Sequence, residues 1–180
     1  MLAFVDTMVL VWGIRQEADE TNQARIQQAR AFFEDMEQKG LHIGVAAPSL
    51  AEYLVRTPDT DRNRVFREFS RLFTVYPFDA AAAHQAAESW NIVHGRTPAR
   101  RVAESFGMDK ATLSVDHQIV SIAVCRKADL FITHDAKCQS YARRFLPRVE
   151  ELPQAQQTLP FVNLGAAEAA AASDWIVQQE

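Results

Sequence analysis

Two rhythms of apolar residues run through this chain. Short continuous runs, some closing on an acid, alternate with longer stretches in which apolar residues recur every three or four positions. Leu2–Val5 closes on Asp6 and Thr7, and the run at 130–133 leads to Asp135. Runs of this kind predict buried strands of a parallel sheet. Residues 41–46, 74–77 and 159–164 predict further strands. The helical rhythm covers 16–39, where Ala24, Ile26, Ala29, Phe32, Phe33 and Met36 form a loose apolar stripe that stops at Gly40. Pro48 suits a first helical turn and opens the next helix, which sets Glu52 beside Leu50, Tyr53 and Leu54 in that first turn.

The later helices read in the same way. Residues 59–73 predict an amphipathic helix with Val65, Phe66, Phe69 and Leu72 inside. Residues 78–95 form another, and the link at 96–114 mixes helix and loop. Ile119, Val120 and Ala123 follow Asp116 at helical spacing, so Asp116 is expected to open its helix, where exposed backbone N–H groups favour a carboxylate. A helix at 136–145, a polar loop at 148–158 and an Ala-rich C-terminal helix at 166–179 complete the pattern. The alternation of strands and helices predicts an α/β fold: a three-layer α/β/α sandwich around a mainly parallel central sheet. Residues 1–180 read as a single domain.

Composition narrows the partners. Hydrophobic residues make up 48% and charged residues 23%, as in an ordinary globular domain. No apolar run reaches the roughly 20 residues that span a bilayer, so no membrane partner is expected. The apolar N-terminus lacks a basic flank and carries Asp6 at its centre, so it does not read as a signal peptide. Cys125 and Cys138 show no metal-ligand spacing, and a reducing cytoplasm fits them. With a net charge of −4, any binding to nucleic acid must come from local bases. Two groups qualify. Arg62, Arg64, Arg67 and Arg71 share one helix, and Arg96, Arg100, Arg101 and Lys110 lie on the link that leads to Asp116.

Four acids repeat one placement: Asp6 and Asp135 at strand ends, Glu52 and Asp116 at helix starts. Brought to one edge of a parallel sheet they would occupy the place where open α/β folds bind ligands. Converging carboxylates repel and raise one another's pKa unless a cation neutralises them. Carboxylate oxygen suits Mg2+ or Mn2+, which can acidify water and neutralise charge on a phosphodiester. Thr7 and Thr133 are placed to hydrogen-bond these acids. His117 and His134 adjoin two of them and are expected to pack rather than react.

On FVDTMVLVWG, APSLAEYL, VDHQIVSIA and DLFITHD, in that order, the chain resembles the PIN domain family, which includes the VapC-type toxins. The resemblance implies a metal-dependent endoribonuclease that hydrolyses RNA, with Asp6, Glu52, Asp116 and Asp135 as metal-binding catalytic acids and Thr133 as a supporting hydroxyl. It also implies Mg2+ or Mn2+, a cognate antitoxin protein if the chain is a toxin, and a homodimer. Met8 stands where the family often has Asn, and His134 where Asn or Arg is common. Two other readings stay open. One is a PIN-like RNA-binding or scaffold module with little catalysis, although all four acids are retained. The other is phosphotransfer on Asp6, but that chemistry wants a second acid where Met8 stands.

Overall fold

The computed structural model describes residues 1–154. Five strands, β1 (Leu2–Val5), β2 (His42–Ala46), β3 (Thr74–Tyr76), β4 (Leu130–Ile132) and β5 (Val149–Glu150), form one sheet in the order β3-β2-β1-β4-β5. Every pairing is parallel. Around it lie α1 (Thr7–Leu10), α2 (Gln23–Gln38), α3 (Ala47–Val55), α4 (Asp59–Leu72), α5 (Ala80–His94), α6 (Ala99–Ser105), α7 (Lys110–Cys125) and α8 (Ala136–Ala142). Wider helical turns at Val11–Arg15 extend α1.

The central strands β1 and β4 and most of β2 are buried on both faces, and alternation along the strands divides the core in two. Ala3, Val5, Ile43, Val45, Leu130 and Ile132 point to one face, where they meet Leu10 and Trp12, Phe32 and Met36 of α2, Tyr53 of α3 and Phe69 of α4. Phe4, Ala46, Phe131 and Val149 point to the other, against Ala82 of α5, Val102 of α6, Ile119 and Ile122 of α7 and Tyr141 of α8. The α/β/α layering predicted from the chain's alternation is therefore the observed one.

Several boundaries differ, each for a local reason. The helix expected at 16–39 begins only at Gln23: Gln16 takes a left-handed φ of 57°, and the Asp19 carboxylate accepts from the N–H groups of Thr21 and Asn22. The helix carrying Asp116 begins six residues before it. Its cap is Asp109, which accepts from the Thr112 N–H at 2.9 Å and the Thr112 hydroxyl at 2.6 Å. Asp116 therefore sits in the second turn of α7, and Glu52 likewise in the second turn of α3, not at helix starts. Phe66 and Leu72, expected inside, are 48% and 60% exposed. The polar loop expected at 148–158 contains β5, whose Val149 pairs with Phe131. The strand expected at 159–164 and the helix expected at 166–179 lie outside the described residues.

One close approach fixes the sheet's centre. Phe4 is fully buried and its ring lies over Gly44, its partner on β2, while stacking on Tyr76 at 5.3 Å. A Cβ on Gly44 would sit 2.7 Å from that ring. Gly44→Val is expected to lower stability by about 1–3 kcal/mol through this overpacking, read as a lower urea midpoint at unchanged slope.

Candidate active site

The chain runs from β1 to β2 on one side, while β4 adds on the other, so the order of the sheet reverses beside β1. A crevice opens at the C-terminal strand ends at such a reversal. Asp6 follows β1 directly, and its backbone N–H donates to the Ile132 carbonyl at 3.0 Å, so its position depends on β4. One carboxylate oxygen accepts from the Thr7 N–H at 2.6 Å, and the other from the Thr133 hydroxyl at 2.8 Å. Thr133 is fully buried, and its oxygen also accepts from the Asp135 N–H at 3.2 Å. Asp135 caps α8, with Oδ1 accepting from the N–H groups of Lys137 and Cys138 at 2.7 and 3.0 Å. The Thr7 hydroxyl donates to Glu52 Oε2 at 2.6 Å. One hydrogen-bonded network thus joins Asp6, Glu52 and Asp135 through two threonines.

Asp116 joins them through its field. Burial first, then the charges of Asp6, Asp135, Glu52 and Asp109, push its carboxyl up to about 7. Asp6 is raised by the same causes: burial is the largest, the bonds from Thr133 and Thr7 pull back, and Glu52 and Asp135 push upward. The largest charge effects on Asp116 all come from other acids. Asp116 accepts no hydrogen bond from any described residue, and Asp135 keeps Oδ2 uncommitted. Among the described residues, no three His, Cys, Asp or Glu side chains stand in metal-cage geometry. The donor set nonetheless suits a hard divalent cation, which takes carboxylate oxygen and keeps several waters of its own.

The predicted bases are spread. Arg62 pairs with Asp59, and Arg64 with Asp61 at 3.3 Å, while Arg67 is exposed. Arg71 lines a hollow of about 480 Å³ with Arg30, Phe33, His42 and Phe73, at the N-terminal end of β2 and thus the edge opposite the acids. Arg100 pairs with Glu104 at 3.0 Å, and Arg96, Arg101 and Lys110 are exposed. None of these bases hydrogen-bonds one of the four acids. His134 packs edge-on to Trp12 at 5.1 Å, and its Nε2 accepts from the Leu152 N–H at 3.0 Å. Asp109 carries a readable signal of its own, since Asp is a preferred residue just ahead of a helix. The contact of His117 with Tyr141, 24 positions apart, had no such signal.

The protein is thus an α/β sandwich with an acid cluster at its topological reversal. No protein-family model and no curated protein sequence matches the chain. Its fold is similar to that of VapBC2 from Rickettsia felis, solved bound to a DNA fragment from their promoter: TM-score 0.57, 16% identity, covering 85% of this chain and 100% of that one. It also aligns with Leishmania major tyrosyl-tRNA synthetase at a TM-score of 0.43 and 11% identity, over 98% of this chain and 33% of the other, a likeness too low to carry an argument. Among the described residues, no helix is long and apolar enough to cross a membrane.

Proposed function

We propose that this chain is a metal-dependent endoribonuclease of the PIN type, the toxin member of a toxin–antitoxin pair, built as one domain and working in the cytoplasm. The observation that carries the reading is the un-neutralised convergence of Asp6, Glu52, Asp116 and Asp135, which leaves Asp116 titrating near 7. Likeness of fold to VapBC2 supports it and supports a cognate antitoxin as partner. RNA is the substrate, a homodimer the working form, and Arg96, Arg100, Arg101 and Lys110 the bases nearest in sequence to Asp116 for phosphate contacts.

Asp116 and Asp135, with Glu52 and Asp6, would hold Mg2+ or Mn2+. When bound, the ion supplies an acidified water and offsets phosphate charge. Thr133 fixes the rotation of the Asp6 carboxylate and, through the Asp135 N–H, the start of α8. Thr7 holds Glu52 against the same edge. With its carboxyl pushed up to about 7, Asp116 would give up whatever proton it holds when the site is loaded, which would couple binding to pH.

Purified protein is expected to cleave single-stranded RNA with added Mg2+ or Mn2+ and to stop with EDTA. RNA cleavage that persists in excess EDTA would sink the metal reading. Tight RNA binding without any cleavage would favour a binding module instead.

A further inference from the structure

Asp116 reaches the acid cluster from α7, and a part-buried relay beginning one residue later holds that helix. His117 Nε2 lies 3.1 Å from the Ala86 carbonyl oxygen of α5, and its Nδ1 lies 2.7 Å from the Tyr141 hydroxyl of α8. A carbonyl oxygen can only accept, so Nε2 carries the hydrogen. In the neutral ring this leaves Nδ1 without a hydrogen. Nδ1 of that ring accepts, and the Tyr141 hydroxyl must be its donor. Tyr141 is fully buried, with Phe106 and Phe145 against its ring at 5.3 and 5.1 Å and His94 stacked at 5.9 Å. The phenol therefore has no freedom to swing elsewhere.

Two effects follow at Asp116. First, α7 is tied to both α5 and α8 by the residue next to the acid, which sets the helix's rotation and so the direction of the Asp116 side chain. Second, the one hydroxyl proton of Tyr141 is committed to His117. Asp116 lies near enough for its charge to act on the phenol, yet the phenol offers it no donor. Both carboxylate oxygens of Asp116 remain without a hydrogen bond from the described residues.

We infer that Tyr141 and His117 are positioning residues: the Tyr141–His117–Ala86 relay aims Asp116 and keeps its carboxylate unbonded for a divalent cation. The inference rests on the metal-nuclease reading above. It assigns a task to three residues that contact neither cation nor RNA in that reading.

Mn2+ binding to the full chain, measured by calorimetry for wild type, Tyr141→Phe and Ile43→Val, provides the test. Tyr141→Phe is expected to weaken Mn2+ binding about tenfold, the scale typical of lost support behind a metal ligand. Ile43→Val trims a buried side chain on the other face of the sheet and is expected to leave Mn2+ affinity unchanged despite lower stability. Imidazole 15N shifts should show His117 with its hydrogen on Nε2 in the wild type, and that signature should broaden or shift in Tyr141→Phe. Wild-type Mn2+ affinity in a folded Tyr141→Phe protein overturns the inference. So does a wild-type His117 carrying its hydrogen on Nδ1, even where the variant fails to fold. Wild-type protein that binds no Mn2+ overturns the inference together with the reading beneath it, and an intact Nε2–H signature there places the fault in the metal reading.

Discussion

Asp6→Asn and Asp116→Asn are each expected to lower RNA cleavage at least a hundredfold while the protein stays folded. Groups that merely support metal ligands already cost about 10–100-fold when removed, and a ligand carboxylate should cost no less. An amide keeps the shape of the side chain and removes the charge. Asp6→Asn also disturbs a built network, because the Thr7 N–H and the Thr133 hydroxyl both donate to the lost carboxylate. Asp116→Asn breaks no hydrogen bond among the described residues, so it is the cleaner of the two. Circular dichroism and single-turnover cleavage of a labelled RNA distinguish loss of function from loss of fold. A folded Asp116→Asn protein cutting at the wild-type rate would end the nuclease proposal.

The second large effect is on stability. In EDTA, wild-type protein is expected to lose stability relative to Asp116→Asn as the pH rises from 5 to 8. The Asp116 carboxyl titrates at about 7 in the folded protein against an ordinary 3.8, chiefly through burial and then through Asp6, Asp135 and Glu52. Between those values the folded state holds more protons than the unfolded one, so stability falls as pH rises through that window. The full linkage is ~4 kcal/mol. Solvent screening of a half-buried group brings the expected difference to about 2 kcal/mol. Three imidazoles held low by burial, His94, His117 and His134, act with the opposite sign below pH 6.5, and comparison with the variant cancels them. Adding Mn2+ at pH 8 should restore the wild type more than the variant, because only the wild type retains all four carboxylates. Parallel urea curves for the two proteins across this pH range, with no change in their separation, would show that Asp116 is not under strain.

Much of this arrangement is legible along the chain. Asp6 stands out because an acid between two apolar runs is costly to bury without compensation. Asp135 stands out because it closes a short apolar run with β-branched members, the mark of a buried strand. Helix starts are less legible. The pattern at 119, 120 and 123 marks a helical face but not where the helix begins, and Asp109, not Asp116, supplies the cap. Strand β5 has two residues, too few for any period, and exists because β4 offers it an edge. Phe66 and Leu72 fall on the apolar stripe of α4, yet they stay in solvent because nothing among the described residues covers that flank. Tertiary partners decide such matters, and a local pattern contains no trace of them. The joining of Asp6, Glu52 and Asp135 through two threonines depends on contacts 45 and 127 positions apart.

That last separation bears on how the protein is made. Thr133 is synthesised 127 residues after the Asp6 it holds. Until Leu130–Ile132 leaves the ribosome, β1 has a neighbour on one side only, through its pairing with β2. A nascent chain carrying Asp6 and Glu52 therefore has two acids without Thr133, Asp116 or Asp135 to complete the cluster. Domains fold as units, and pairings between distant strands come late. The acid cluster is assembled only once Asp135 has been made, so on the proposed nuclease reading a shorter nascent chain carries Asp6 and Glu52 without a complete site.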